Sequence, residues 1–257
     1  MTPRCGLTPM CLLAFSLVLW VAPAAANCKL SRLLELPVTM VDMHPMVTAK
    51  INGRDAEFIV DSGAFYSMMT PGGAADLNLK PYPAPWGFEV KGLGGEAGGL
   101  SIATVKDFAL QGLTAHNVEF LVGGSDVGGA GVIGQNVLRI ADVEYDLARG
   151  VIRLIREENS SHANNLAYWI AGTDQVYSLI DIANTTPLMP HTSAVAFVND
   201  VKVRVMFDTG AFASILTKKA AERAGIDFDG PGVVKEGGLR GLGKDNVSTW
   251  IAKIDSF

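Results

Sequence analysis

The sequence predicts an all-β protein with few short helices, assembled from two tandem copies of one lobe. Glycine and proline account for 28 and 12 of the 257 residues, and both are typical of the turns that separate short strands. Short apolar runs bounded by such turns recur along the chain. A segment of the first third also returns in the last third, which indicates a duplicated unit.

Composition and charge narrow the classes of function. Hydrophobic residues make up 49% of the chain and charged residues 18%, which excludes a disordered protein. The formal net charge is −5, and no strongly basic segment is present. A nucleic-acid partner would require a basic face, so we expect none.

The first 26 residues have the pattern of a signal peptide. Arg4 precedes the apolar run 11–22, and the small residues Ala24 to Ala26 follow it. We therefore predict cleavage after Ala26 and export, either to the periplasm or to the medium. No later stretch reaches the length of a membrane span, so no stable span is expected once the signal is removed.

The remaining chain is predicted to consist mostly of strands. Of the few short helices expected, only Lys218–Ala224 has a clear helical pattern, with Gly225 as its stop signal. Residues 157–165 are polar and indicate the start of a linker, whereas 168–182 is more apolar and is expected to pack on the lobes. The predicted strands are Met46–Ile51, Ala56–Val60, Ala103–Leu110, Val118–Val122, Val143–Leu147 and Val151–Ile155.

The internal repeat defines the domains. Residues 49–70 return as 196–217 at a constant separation of 147, and the match resumes downstream after a two-residue insertion. The first copy continues through 117–155, for which the second copy has no counterpart. The predicted domains are therefore a signal peptide (1–26), a first lobe (27–156), a linker segment (157–190) and an incomplete second lobe (191–257).

Each copy places an aspartate directly after an apolar strand, in Asp61-Ser62-Gly63 and Asp208-Thr209-Gly210. Two carboxylates held close together cannot both ionise easily, so they share one proton. The ionised member can then take a proton from water while the protonated member donates to a carbonyl oxygen. The glycines allow close backbone approach, and the hydroxyl groups can orient the carboxylates. Such chemistry requires neither a metal nor a cofactor.

These motifs resemble those of the retropepsin-like aspartic proteases, of the bacterial type with two fused lobes in one chain. The resemblance implies closed β-barrel lobes, a peptide or unfolded protein substrate, a dyad of Asp61 and Asp208, and a lock between the two loops by Ser62 and Thr209. It also implies that an apolar-apolar-Gly segment, 132–134, threads beside the first Asp loop. Two Gly-rich flaps that close over substrate are implied as well, formed by Gly92, Leu93, Gly94 and Gly95 and by Gly241, Leu242 and Gly243.

The predicted function is that of an exported aspartic endopeptidase, and the alternative is a non-catalytic peptide-binding or degenerate module. The short second copy leaves three interpretations open. The chain is a fragment of a longer protein, or it is degenerate and inactive, or complete first lobes pair as a homodimer that brings together two Asp61 residues. A monomer with two lobes is the arrangement we expect.

Two further signals do not predict a ligand. Residues 129–134 match the Gly-x-Gly-x-x-Gly dinucleotide fingerprint, but a hairpin is predicted to follow where a βαβ unit would be needed. The four histidines have no metal-ligand spacing. They are His44, His116, His162 and His191.

Overall fold

The computed structural model describes residues 29–158, 168–170, 174, 176–186, 189–239, 241–243 and 245–257. The predicted signal peptide and a large part of the predicted linker lie outside the described residues. The described residues form seventeen strands: β1 (Lys29–Pro37), β2 (Thr39–Val41), β3 (His44–Ile51), β4 (Arg54–Val60), β5 (Met68–Met69), β6 (Tyr82–Pro83), β7 (Val90–Gly92), β8 (Gly95–Ala97), β9 (Ser101–Leu110), β10 (Leu113–Val122), β11 (Gly131–Ile133), β12 (Asp142–Asp146), β13 (Val151–Glu158), β14 (Ser193–Val198), β15 (Val201–Met206), β16 (Val234–Leu239) and β17 (Val247–Ile251).

Helices are few and short, as predicted. The described residues contain two 3₁₀ turns, at Leu147–Arg149 and Tyr168–Ile170, and three α-helices: α1 (Pro71–Asp76), α2 (Gln135–Leu138) and α3 (Lys218–Arg223). None of these helices is long and apolar enough to cross a bilayer.

Six strands of the first lobe close into a β-barrel. Around it, β3, β4, β11, β5, β10 and β9 are each hydrogen-bonded to the next, and β9 pairs back onto β3. Strand β11 runs parallel to β4 and antiparallel to β5, so it fills the gap between them. Phe120 lies at the centre of the core, with ring centroids 5.9 Å from Phe58 and 5.4 Å from Phe108. The predicted all-β fold with a closed barrel is confirmed.

The predicted turn at Asn52-Gly53 explains why β3 and β4 form a hairpin. Both residues have positive φ, +50° and +84°, as expected for a tight turn whose twist matches that of the flanking strands. A three-stranded sheet of β1, β13 and β12 packs beside the barrel. It covers the barrel core with Leu34, Leu36, Ile152 and Leu154.

Helices α1 and α2 form in the first lobe, where the sequence shows no clear helical pattern. Helix α1 begins after Thr70, whose hydroxyl accepts the Gly73 N–H at 2.9 Å, and Pro71 occupies its first turn. Two glycines, poor helix formers, obscured this signal. Packing requires one of them, since a Cβ on Gly73 would lie 2.5 Å from the Ala130 carbonyl oxygen.

The second lobe consists of two hairpins, β14–β15 and β16–β17, and helix α3. Its buried core is small and comprises Val198, Val203 and Ala224. The described part of this lobe contains no strand equivalent to β11. Three apolar side chains are consequently exposed, Met206 at 48%, Phe207 at 43% and Ile215 at 48%. Their buried counterparts beside β11 are Ile59, Val60 and Met68.

Residues 168–182, which the sequence predicts to pack on the lobes, leave many of their described apolar side chains exposed. Val176 and Leu179 are 97% and 80% exposed. Polar groups hold the stretch and its continuation instead: the Tyr168 hydroxyl bonds Glu144, and the Ala183 N–H donates to the Ser193 carbonyl at 2.7 Å. Backbone and hydroxyl contacts of this kind leave the apolar side chains facing solvent.

Candidate active site

The two predicted Asp loops meet between the lobes. Asp61 follows β4, and its Oδ1 accepts the backbone N–H groups of Gly63 at 2.8 Å and Ala64 at 2.9 Å. In the second lobe, Asp208 Oδ1 accepts the Gly210 N–H at 2.9 Å. Each carboxyl group is thus oriented by the turn that follows it, and the two carboxyl groups lie close enough for the charge of Asp208 to act on Asp61.

The glycines of the two motifs make this approach possible. A Cβ on Gly63 would lie 2.3 Å from Asp208 Cγ, and a Cβ on Gly210 would lie 2.4 Å from Asp61 Cγ. Each carboxyl group therefore packs against the glycine of the opposite lobe, in space that only a residue without a side chain leaves open.

The hydroxyl groups of Ser62 and Thr209 join the loops by reciprocal hydrogen bonds. The Thr209 hydroxyl donates to the Val60 carbonyl at 2.6 Å and accepts the Ser62 N–H at 3.0 Å. The Ser62 hydroxyl donates to the Phe207 carbonyl at 2.8 Å and accepts the Thr209 N–H at 3.0 Å. Ser62 is 3% exposed, so these bonds are shielded from water.

Replacement of Thr209 by Val tests this lock. The change removes the hydroxyl at nearly constant shape and leaves the buried Ser62 N–H without its acceptor. We expect the free energy of unfolding to fall by about 1–3 kcal/mol, measured by urea denaturation. Thr48→Val is the control, because the Thr48 hydroxyl bonds Glu57 on the exposed surface. Equal losses in the two variants would contradict a buried lock.

Four residues that support the first loop were missed in the sequence. The Gln135 side chain donates to the Ser62 carbonyl at 2.7 Å, and its backbone N–H donates to the Ala64 carbonyl at 2.9 Å. Asn136 Oδ1 accepts both the N–H and the hydroxyl of Ser67, at 2.7 and 2.8 Å. The third is Ser67, whose hydroxyl accepts the Gly134 N–H at 3.0 Å, and the fourth is Tyr145, which packs against the barrel core near Ser62.

Only a weak sequence signal pointed to this support. Gln135 and Asn136 directly follow the 132–134 segment, which the structure places beside the Asp61 loop, where the Ile133 carbonyl accepts the Asp61 N–H at 3.0 Å. A Cβ on Gly134 would lie 2.7 Å from the Ala64 carbonyl oxygen, so close approach of the two loops requires this glycine. Polar residues that follow such a glycine could have been predicted to form hydrogen bonds with the Asp61 loop.

The surroundings of Asp61 favour its neutral form. Burial and, after it, the interaction with the Asp208 carboxyl group together raise the pKa of Asp61 to about 7. The N–H groups of Gly63 and Ala64 oppose this by stabilising the ionised form. The causes that raise the pKa outweigh this effect and favour a neutral Asp61 below about pH 7.

The predicted flap residues come together at the tips of two hairpins. The first hairpin is β7–β8, with Leu93 and Gly94 at its tip, and the second is β16–β17. The Gly94 N–H donates to the Leu242 carbonyl, and the Gly94 carbonyl accepts the Asp245 N–H, both at 2.9 Å. Gly94 and Gly243 form a parallel bridge. Asp245, which the sequence did not indicate, is therefore part of this contact.

Leu242 also connects the second flap to the first lobe. Its side chain packs against an apolar cluster that includes Met68, Val90 and Leu121. A Cβ on Gly92 would lie 2.6 Å from the Leu242 Cβ, so the first flap needs a glycine where the second crosses it. The flap tips thus touch each other and an apolar surface of the first lobe.

Comparison with protein families agrees with this geometry. The model of the aspartyl protease family matches residues 47–137 and 194–257. The chain belongs to the aspartyl protease family. Its two matched segments contain both Asp loops and both flaps, and the recognition of an aspartic protease from the sequence is confirmed. The predicted peptide substrate follows as the class on which such proteases act.

Two solved structures show more distant likenesses to this aspartyl protease. One is a retropepsin-like aspartic protease from Rickettsia conorii, at 18% identity and a TM-score of 0.35, with coverage of 51% of this chain and 95% of that one. The other is EIAV protease in complex with the inhibitor HBY-793, at 20% identity and a TM-score of 0.32, with coverage of 38% and 86%. The curated proteins contain no match.

Among the residues that the structure describes, no cluster of three or more His, Cys, Asp or Glu side chains is placed to hold a metal ion. The 129–134 segment contains β11, which is a strand of the barrel wall. The chain then continues through α2 into the β12–β13 hairpin. This is the hairpin context that the sequence predicted for that segment.

Proposed function

We propose that this aspartyl protease is an endopeptidase in which Asp61 and Asp208 together activate a water molecule. The observation that carries the proposal is the reciprocal packing of each carboxyl group on the glycine of the opposite lobe. It brings the two acids close enough for the charge of one to act on the other. An idle pair of turns would have no need for a buried carboxyl group that faces a second one.

The proposed reaction requires one neutral and one ionised carboxyl group. Ionised Asp208 takes a proton from water as the water oxygen bonds to the scissile carbonyl carbon, and neutral Asp61 donates its proton to the carbonyl oxygen. In the resulting diol, Asp208 then protonates the nitrogen while Asp61 takes back one hydroxyl proton. The C–N bond breaks, and the dyad regains its starting protonation state.

The flaps suggest how the substrate is held. An extended peptide between the dyad and the flaps could replace the contact of Gly94 with Leu242 by backbone hydrogen bonds of its own, as an added strand does. The apolar cluster beneath Leu242 would then face substrate side chains. We therefore propose unfolded or extended peptides with apolar side chains near the cleaved bond as the substrate class.

The test is cleavage of fluorescein-labelled casein by the purified chain and by its Asp208→Asn variant. We expect the parent to cleave and the variant to lose the activity. Asp200→Asn is the matched control, because Asp200 is exposed at the turn of the same hairpin that leads to Asp208. Equal cleavage by the parent and Asp208→Asn would refute the proposal.

The activity should depend on pH through the shared proton. Because Asp61 must be neutral to donate and its pKa is raised to about 7, kcat should fall as the pH rises through that value. It should also fall at low pH, because a pair in which both carboxyl groups are protonated contains no base. A pH profile from 3 to 10 measures both limbs, and activity that rises steadily past pH 9 would contradict a shared-proton mechanism.

One observation favours the alternative, a non-catalytic peptide-binding module. The Ile133 carbonyl in β11 fixes the Asp61 loop, whereas the described part of the second lobe offers the Asp208 loop no such strand. A module of this kind would bind an extended peptide in the groove without cleaving it. Fluorescence anisotropy of labelled unfolded casein, with intact casein recovered afterwards, would identify it.

Export and a monomeric state are part of the proposal. Residues 1–26 carry the signal-peptide pattern, and the mature chain should begin at Asn27. Mass spectrometry of the secreted or periplasmic protein tests that cut site. Because Asp61 meets Asp208 of the same chain, we expect a two-lobed monomer by light scattering. A dimer that retains activity after Asp208→Asn would instead support pairing of two Asp61 residues.

A further inference from the structure

Strand β15 of the second lobe has one open edge. It pairs with β14 and with no other described strand. The Phe207 N–H donates to the Thr192 carbonyl at 2.9 Å, and hydrogen-bonded pairs alternate along an antiparallel hairpin. The backbone N–H and carbonyl groups that point away from β14 are therefore those of Lys202, Arg204 and Met206.

The equivalent edge of the first lobe is covered. Arg204 is equivalent to Glu57 at the repeat separation of 147. The Glu57 carbonyl accepts the Ala130 N–H at 2.8 Å, in the residues that lead into β11. The described part of the second lobe has no such segment, and an open cleft of about 490 Å³ lies beside β15. This cleft is lined by Val195, Lys202, Val203, Arg204 and Arg223.

The charges at this edge are inverted between the lobes. Three cationic side chains of the cleft stand where the first lobe has three acidic ones. The equivalent pairs are Lys202 and Asp55, Arg204 and Glu57, and Arg223 and Asp76. All three cations are exposed, and none forms an ion pair or a side-chain hydrogen bond with another described residue. Their charges are thus available to a ligand of opposite sign.

The residues across the hairpin from two of these cations are apolar. In the first lobe the equivalent residues, Lys50 and Thr48, bond the acidic side chains opposite them. In the second lobe they are replaced by Phe197 and Val195, which are 55% and 46% exposed. A segment that matches this surface would therefore carry acidic side chains next to apolar ones.

We propose that the open edge of β15 binds an extended, acidic segment of a partner protein as an added strand. The backbone groups of β15 would pair with the segment, as exposed strand edges do. Lys202, Arg204 and Arg223 would pair with its acidic side chains. Among the described residues, none of the carboxyl pair, the lock or the flaps lines the cleft, so the segment is a bound partner and not a substrate held for cleavage.

The first test measures the binding of a fluorescein-labelled peptide in which Glu and Val alternate, by fluorescence anisotropy. A peptide with Gln in place of each Glu lacks the charge, and one with N-methylated backbone amides keeps the charge but cannot pair with a strand edge. We expect each change to weaken binding at least about 10-fold. Equal binding of the N-methylated peptide, or of a single-stranded oligonucleotide, would show that charge alone is recognised and would overturn the proposal.

The second test removes the three cations together, in a variant that combines Lys202→Gln, Arg204→Gln and Arg223→Gln. It should bind the acidic peptide at least about 10-fold more weakly than the parent, because several exposed ion pairs are lost. The control variant changes the net charge equally by removing exposed cations of the first lobe, and it should bind like the parent. It combines Lys80→Gln, Lys106→Gln and Arg139→Gln. Equal weakening in the two variants would refute a site at β15.

Hydrogen–deuterium exchange locates the bound peptide without any substitution. Binding should slow exchange at the Lys202 and Arg204 N–H groups and leave β4 unchanged, because β11 already covers the edge of β4. Unchanged exchange in β15 would place the peptide elsewhere and overturn the proposal.

Other occupants of this edge would give different results. Slow exchange of the outward N–H groups of β15 in the absence of peptide would mean that a second copy or another segment of the chain covers the edge, and light scattering distinguishes the two. Either finding would refute the proposal. Cleavage of the acidic peptide by the parent, detected by mass spectrometry, would make it a substrate and would also refute a partner at this site. Failure of the parent to cleave casein would refute the proposed function and leave this binding site unaffected.

Discussion

Replacement of Asp61 by Asn is expected to reduce kcat for peptide hydrolysis by about 10²- to 10⁴-fold, the range associated with loss of one general acid. The amide keeps the size of the side chain but cannot give up a proton to the carbonyl oxygen. Initial rates on labelled casein at pH 5 measure the loss. Asp55→Asn is the control, because Asp55 lies on the same strand but pairs with Lys50 on the exposed surface.

The same substitution should change how stability depends on pH. The folded pKa of Asp61 is about 7 and its ordinary value is 3.8, so between these values the folded state binds more protons than the unfolded state. The free energy of unfolding therefore falls as the pH rises from about 4 to about 7, by at most about 4 kcal/mol at 1.4 kcal/mol per unit. The Asp61→Asn variant has no carboxyl group to ionise at this position, so its free energy of unfolding should not fall in this way. It should be more stable than the parent at pH 8.

Urea denaturation of the parent, Asp61→Asn and Asp55→Asn at pH 4 and pH 8 separates the two effects. Asp55→Asn should follow the parent at both values. A parent whose stability does not fall between these pH values would mean that Asp61 carries its charge in the fold without penalty. The prediction that Asp61 is neutral in the folded protein below about pH 7 would then be wrong.

Gly210→Ala is expected to have an effect on activity as large as that of losing an aspartate. The added Cβ would lie 2.4 Å from Asp61 Cγ and 2.6 Å from both carboxyl oxygens, a distance that no real contact tolerates. Either the lobes separate or the Asp61 carboxyl turns away from the Gly63 and Ala64 N–H groups. We expect kcat to fall at least about 100-fold and the free energy of unfolding to fall by about 1–3 kcal/mol, as for other overpacked sites.

Gly72→Ala in α1 is the matched control for this substitution. Its Cβ would meet only the Thr70 hydroxyl, at 4.0 Å, which is an ordinary contact. Alanine also favours a helix over glycine, so this variant should be as stable as the parent or more so. Full activity in Gly210→Ala would show that the carboxyl pair does not need the close packing seen between the lobes.

The parts of this protein that could be predicted from sequence are those in which local chemistry repeats. An apolar strand before Asp-Ser-Gly or Asp-Thr-Gly, found twice at one separation, indicated two loops of the same kind. The Asn52-Gly53 turn and the β3–β4 hairpin followed from the positive φ that such residues accept. The length of β4 was underestimated at its polar start, Arg54, because pairing with β3 extends past the apolar residues.

The parts that could not be predicted depend on contacts between distant segments. Gln135 and Asn136 carry no pattern of their own, and their roles appear only because β11 ends where they can reach Ser62 and Ser67. Helix α1 was hidden for a related reason. Gly73 is poor for a helix but necessary for the contact with Ala130, so tertiary packing overrode local propensity.

The closed barrel and the open second lobe should differ in how readily they exchange amide hydrogens with solvent. Every strand of the barrel has a partner on both sides, around a core that includes Phe58, Phe108 and Phe120. The described hairpins of the second lobe rest on far fewer buried side chains. Sub-global opening should therefore begin in β14–β17, with β4 and β10 exchanging only on global unfolding. The carboxyl pair would then lie at the border of two cooperative units. The two carboxyl groups would stay together only as long as the second lobe, the less stable unit, stays folded.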